Sequence, residues 1–150
     1  MWSFSTAVAY RNYIVPAFYG WLRDPENPKK ITQRNDAMER FDRGAILEHI
    51  AFPIVLISGL GLLWIAGWEW QALNWLGAKL LIIGIIFIPM ECVDYYISHG
   101  GGNKRSIRLA GDSLRYEQMI RFHWQFFRVT TPLVVTLIPL LFYLAIVKPI

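Results

Sequence analysis

Charge is scarce in this chain. Asp, Glu, Lys and Arg make up 17% of its 150 residues, against about 25% in soluble domains. Cysteine is all but missing: Cys92 stands alone, so no internal disulfide exists to report on an oxidising compartment. The compact catalytic signatures are missing too. There is no CxxCH haem attachment, P-loop, GxGxxG, HExxH pair or serine-nucleophile elbow, so no enzyme class can be assigned from a motif. Residues 1–22 have no basic stretch before an apolar one and no clear small-residue cleavage site, which speaks against a secretory signal peptide. No internal repeat is visible, and DPENPKK is a short Pro-containing linker rather than a low-complexity tract.

Apolar sequence is what the chain has in quantity. Hydrophobic residues make up 55% of it. The charges gather in residues 23–43 and 104–121, leaving the rest nearly neutral. A bilayer selects such segregation, because a charge at the hydrocarbon centre costs at least ~2.5–3.5 kcal/mol. Three apolar runs follow, at about 46–67, 75–97 and 126–147. Each has the ~20 residues a helix needs to cross ~30 Å of hydrocarbon. Backbone groups in lipid must bond one another, so the runs are expected to be helical. The expected fold is therefore all-α, a bundle of three transmembrane helices forming a single membrane domain over 1–150. Pro53, Pro89, Pro132 and Pro139 predict local kinks, since proline removes an N–H and crowds the preceding turn.

Residues 1–22 are aromatic-rich and nearly long enough to span, but Arg11 and Asn12 sit at their middle. An interfacial or partly inserted helix is expected, with a fourth span as the other option. Trp2, Tyr10, Tyr13, Tyr19 and Trp21 suit the headgroup layer either way.

The connections predict orientation. Residues 23–45 hold Arg23, Lys29, Lys30, Arg34, Arg40 and Arg43, and residues 98–125 hold Lys104, Arg105, Arg108, Arg115 and Arg121. The link 68–74 has no Lys or Arg. Basic loops stay on the cytoplasmic side. Both long connections are thus expected there, in a bacterial-type inner membrane, with Trp64, Trp68, Trp70 and Trp75 as an outer belt and Lys148, Pro149 and Ile150 outside. The net charge of +4 is then topological and calls for no nucleic-acid partner. DAMERFDRGAILEHI and SIRLAGDSLRYEQMIRFHWQFFRV have helical spacing, so the first and third spans are expected to start outside the lipid. SHGGGNK reads as a flexible turn.

Few residues carry possible chemistry. Lys79, about one turn inside the second span, either snorkels to the headgroups or faces the interior and pairs with an anionic group such as a propionate. Glu91 and Asp94, at i and i+3, share one helix face and form a polar intramembrane cluster with Arg128 or an arginine of the next loop. Their options are an interfacial ion pair, proton transfer or metal binding. His49, His99 and His123 all fall near the cytoplasmic helix ends and read as unrelated interfacial histidines, the other option being that they converge at one depth with Glu48, Glu91 and Asp94. No dedicated metal spacing links them.

From about residue 38 onward the chain resembles the HemJ-type membrane proteins, which are protoporphyrinogen oxidase-like and CopD-related. MERFDRGAI before a Pro-containing span is similar to the entry of that family's second helix. The sequence WLGAKLL is similar to the W-x-x-x-K opening of its third, and FFRVTTPLVV with AIVKPI to its last helix. The resemblance implies haem or another tetrapyrrole, with Lys79 toward an anionic porphyrin group and His49 or His123 as iron ligand. The chain departs from the family where histidines are frequent, at Gly77 and around Met90 and Glu91, and residues 1–22 lack the first-helix histidine. Function follows the site and not the scaffold. The leading expectation is therefore a non-catalytic accessory subunit of a larger respiratory or photosynthetic membrane complex, among lipids and other transmembrane subunits. A haem- or porphyrin-binding oxidoreductase is the alternative, and a proton-relay protein built on Glu91 and Asp94 comes third.

Overall fold

The computed structural model describes residues 8–67 and 74–147. Trp2, Trp68, Trp70 and the C-terminal Lys148, Pro149 and Ile150 lie outside the described residues. Among those described, the chain is all-α, with no strand. Three of its helices are long and apolar enough to cross a membrane.

A π-helical turn, Tyr10–Ile14, leads into α1, Val15–Arg23. A second π-helical turn, Ile83–Phe87, interrupts α3, which runs over Trp75–Ser98. Each π turn ends two residues before a proline, Pro16 and Pro89. The cause is local: proline donates no N–H and its ring crowds the carbonyl four residues back, so the preceding turn widens. Of the four prolines expected to disturb the spans, only Pro89 has such a turn before it. Pro53, Pro132 and Pro139 sit inside continuous α-helix.

The linker after α1 is built by its own side chains. Asn27 Nδ2 donates to Asp24 Oδ2 at 2.9 Å, and Asn27 Oδ1 accepts from the Lys29 amide at 3.0 Å. Asn27 is thus the N-cap of α2, Pro28–Ile65, with proline in its first turn, where its missing N–H costs nothing. The 38 residues of α2 extend ~57 Å, nearly twice the hydrocarbon thickness. Asn74 caps α3 through the Gly77 amide at 2.8 Å. The short α4, Lys104–Leu109, is capped by Asn103. It ends at Gly111, whose φ of +77° suits glycine. The last helix, α5, covers Ser113–Val147.

The SHGGGNK segment is a turn, and a close-packed one. A Cβ on Gly102 would stand 2.9 Å from Ile97 Cα, and one on Gly100 would stand 3.0 Å from Tyr96 Cα. Asn103 Nδ2 donates to the Ser98 carbonyl at 2.6 Å. The glycines here permit backbone to lie on backbone.

Packing divides the molecule in two. The core comprises Ile14, Phe18, Met38, Phe41, Ala45, Ile107, Tyr116, Ile120, Trp124 and Phe127. All but Phe127 lie outside the three apolar runs. This head is made from α1, the first half of α2, α4 and the first half of α5. The expectation that the spans begin as helices outside the lipid matches the observed lengths of α2 and α5. Within the most apolar window of each long helix, only 6%, 11% and 11% of residues are buried inside the chain.

The N-terminal helix docks on the head. Phe18 stacks on Trp124 with centroids 4.3 Å apart, and Tyr10 meets Phe127 edge-on at 5.1 Å. Such pairs add ~0.5–1.5 kcal/mol each beyond burial itself. Arg34, in α2, lies 4.5 Å over the Trp21 ring, donates to Glu117 through two nitrogens and to Asn35 at 3.0 and 2.8 Å. Tyr13, Tyr19 and Leu22 face outward.

Candidate functional site: a layer of ionisable groups where the helices meet

Asp42 and His49 are seven residues apart on α2, two turns along one face. Glu91, Asp94 and Ser98 line one face of α3 by the same rule. His99 ends that helix, Lys104 opens α4, and His123 sits midway along the head portion of α5. The fold brings these residues together in contacting groups where α2, α3, α4 and α5 meet.

Lys104 is the most enclosed cation, with 0% exposure. Its Nζ donates to Asp42 Oδ1 and Oδ2 at 3.1 Å each and to the Ile97 carbonyl at 3.1 Å. An ammonium has three N–H bonds, and all three are used. Burial pulls the Lys104 pKa down, with the Asp42 carboxylate opposing. The pair ties α2 to the start of α4 and, through Ile97, to the end of α3.

His49 Nδ1 lies 2.8 Å from Glu91 Oε1. Its ring is perpendicular to that of His99, with centroids 5.0 Å apart, and Tyr95 completes the group at 5.5 Å from His49. Burial pulls the His99 pKa down, and His49 beside it acts the same way. His123 is fully buried. Its Nδ1 is 3.6 Å from Asp42 Oδ1, and its Nε2 is 3.5 Å from Asp94 Oδ1. Neither nitrogen has a hydrogen-bond partner. Phe41, Phe126 and Phe127 wall the ring at 5.9, 6.3 and 4.3 Å. Ser98 Oγ approaches Asp94 Oδ1 at 3.5 Å.

The histidines are not unrelated: His49 lies beside Glu91 and His99, and His123 beside Asp94. Other expected residues stand apart. Arg128 is exposed and takes part in no ion pair among the described residues. Glu91 and Asp94 instead face histidines. Lys79 is half-buried near the start of α3, twelve residues before Glu91, or ~18 Å of helix. Two principal members, Asp42 and Lys104, were not expected, because Lys104 reads as one more basic loop residue. The only signal was the strict need to neutralise any charge placed inside.

No family model, no curated protein and no solved structure matches the chain.

The chemistry must therefore be read from the side chains. Among the described residues no group of three or more His, Cys, Asp or Glu is arranged to hold a metal ion. A porphyrin needs its iron ligand and its carboxylate partner on one cavity. His123 is enclosed by carboxylates and phenyl rings, and Lys79 is more than three turns along α3 from the layer. Lys79 thus stands apart along α3 from the level of His49 and His123, the two alternative iron ligands that the resemblance implies. A groove of about 790 Å³ lies elsewhere, between the N-terminal helix and α2, lined among others by Ile14, Ala17, Lys30, Asp36, Arg40 and Phe41. None of those three residues lines it. What the layer offers is charge neutralisation between helices and places for protons.

Proposed function

We propose that this chain is a non-catalytic subunit of a larger membrane complex, of respiratory or photosynthetic type. It would sit in a bacterial-type inner membrane with its basic head on the cytoplasmic side. The observation that carries the reading is how little the chain covers its own spans. Besides the low burial of the apolar windows, a Cβ built on Gly59, Gly61 or Gly84 meets nothing within 4 Å. Small residues on a membrane helix let another helix approach closely, and among the described residues no other helix lies against these three. Lipid covers an apolar face without needing glycine. Neighbouring transmembrane subunits account for both features, while the packed head fixes the relative positions of the three helices.

Isolation from native membranes under mild detergent, with mass spectrometry and an absorbance spectrum, tests this. The expected result is co-isolation with larger membrane proteins, weakened when Gly59 and Gly61 are replaced by Leu. A chain that always emerges alone overturns the subunit reading. A Soret band travelling with the chain alone would bring back the porphyrin alternative. Cysteines introduced at Arg105 and Ala72, labelled from either side of intact vesicles, test the orientation.

A further inference from the structure

We propose that Asp94, His123 and Asp42 form a buried proton-exchange site, in which the His123 imidazole passes a proton between a carboxyl reachable from outside the bundle and one sealed within it. The inference is independent of the subunit reading.

Geometry carries it. The two ring nitrogens of His123 face carboxylates on different helices, at 3.6 Å toward Asp42 of α2 and 3.5 Å toward Asp94 of α3. A histidine kept for structure commits one nitrogen to a short bond, which fixes its tautomer. His49 does this in the same layer, 2.8 Å from Glu91. His123 has no such short bond: both nitrogens are buried, at 3.6 and 3.5 Å from two proton acceptors, the Asp94 contact standing at the outer limit of a hydrogen bond. Proton-transfer contacts at rest are often longer than when engaged.

The two carboxyls differ in access. The Asp94 side chain is 21% exposed, while that of Asp42 is 3% exposed. Asp94 is thus the entry and Asp42 the sealed end. Lys104, on α4, places its cation against both Asp42 oxygens, which keeps that carboxyl ionised and open to a proton while making it the weaker base, so the proton is held there only briefly. The ionisable groups around His123 are Asp42 and His49 of α2, Asp94 of α3 and Lys104 of α4. Its other neighbours are the phenyl rings that keep water out.

The step balances without any co-reactant. A protonated Asp94 gives its O–H proton to Nε2 as the Nδ1–H proton passes to Asp42. One O–H and one N–H bond break, one N–H and one O–H bond form, and no electrons change hands. The ring is left as its other tautomer, and the reverse transfer or a ring flip resets it.

The test uses the full chain in lipid nanodiscs with ¹⁵N-labelled histidine. Nitrogen shifts report tautomer and protonation for each ring, and His123 is assigned by the signals lost in His123→Gln. The expected result is two exchanging tautomers of His123 whose ratio moves with pH. Asp94→Asn should abolish the second tautomer, and Asp94→Glu should restore it, with His49 unchanged throughout. A single His123 tautomer at every pH overturns the proposal. If Asp94→Asn does not fold, the wild-type pH series decides alone. A merely structural histidine would show no change in tautomer ratio.

Discussion

The head and the spans of this molecule are built from the same helices by opposite rules. In the head, aromatic and aliphatic side chains interlock and even cations are buried, with Arg34 at 1% and Lys104 at 0% exposure. Along the spans, Leu62 is 68% exposed and Trp64 88%, so the apolar residues face outward. Water drives the first arrangement, because removing apolar surface from it is favourable. Lipid removes that drive, since its tails are as apolar as leucine. Along α2 the apolar side chains therefore pass from a single inward face in the head to exposed positions all round the helix.

Substitutions in the two regions should then have very different effects. The largest is expected from Lys104→Met, which leaves Asp42 buried without its cation. Breaking a buried pair costs ~3–5 kcal/mol, and thermal unfolding followed by circular dichroism in detergent measures it. Adding Asp42→Leu to that variant should recover much of the loss. If the single variant unfolds like wild type, the head is not held as described. Phe18→Ala comes next, at ~3–5 kcal/mol for a large-to-small core change. Part of that loss should appear as detachment of α1 rather than global unfolding, so hydrogen exchange over residues 15–23 is the direct readout.

Gly102→Ala should cost ~1–3 kcal/mol through overpacking, because its new methyl meets Ile97 backbone. A stability equal to wild type would show that the turn is looser than its contacts imply. Leu62→Ala should have the smallest effect, within ~0.5 kcal/mol for an exposed position, in the isolated chain. A large loss there would mean that Leu62 is covered within the chain, and the contrast between regions would fail.

Much of this division was legible beforehand. The apolar runs at 46–67, 75–97 and 126–147 correspond to the end of α2, the whole of α3 and the end of α5. They were readable because lipid imposes a minimum length and forbids unpaired backbone. The grouping of His49 with His99 and of His123 with Asp94 was only the lesser option in the sequence, since spans in alternating directions carry those residues to one end without fixing which of them touch. The partners were not. Asp42 and Lys104 are 62 residues apart, and Arg34 and Glu117 are 83 apart. Nothing in the local pattern of either segment distinguishes a buried cation from a solvated one. The close packing behind Gly100 and Gly102 was missed, because three consecutive glycines read as a flexible turn.

What the amino-acid order determined alone is the number of apolar spans, their minimum length and their polarity, as these follow from each segment meeting its solvent independently. Which charges are enclosed, which histidine lies between two carboxylates and where the N-terminal helix rests were decided only on folding. Those outcomes depend on side chains from distant segments reaching the same few ångströms, where burial makes each group require a partner that only the assembled helices supply.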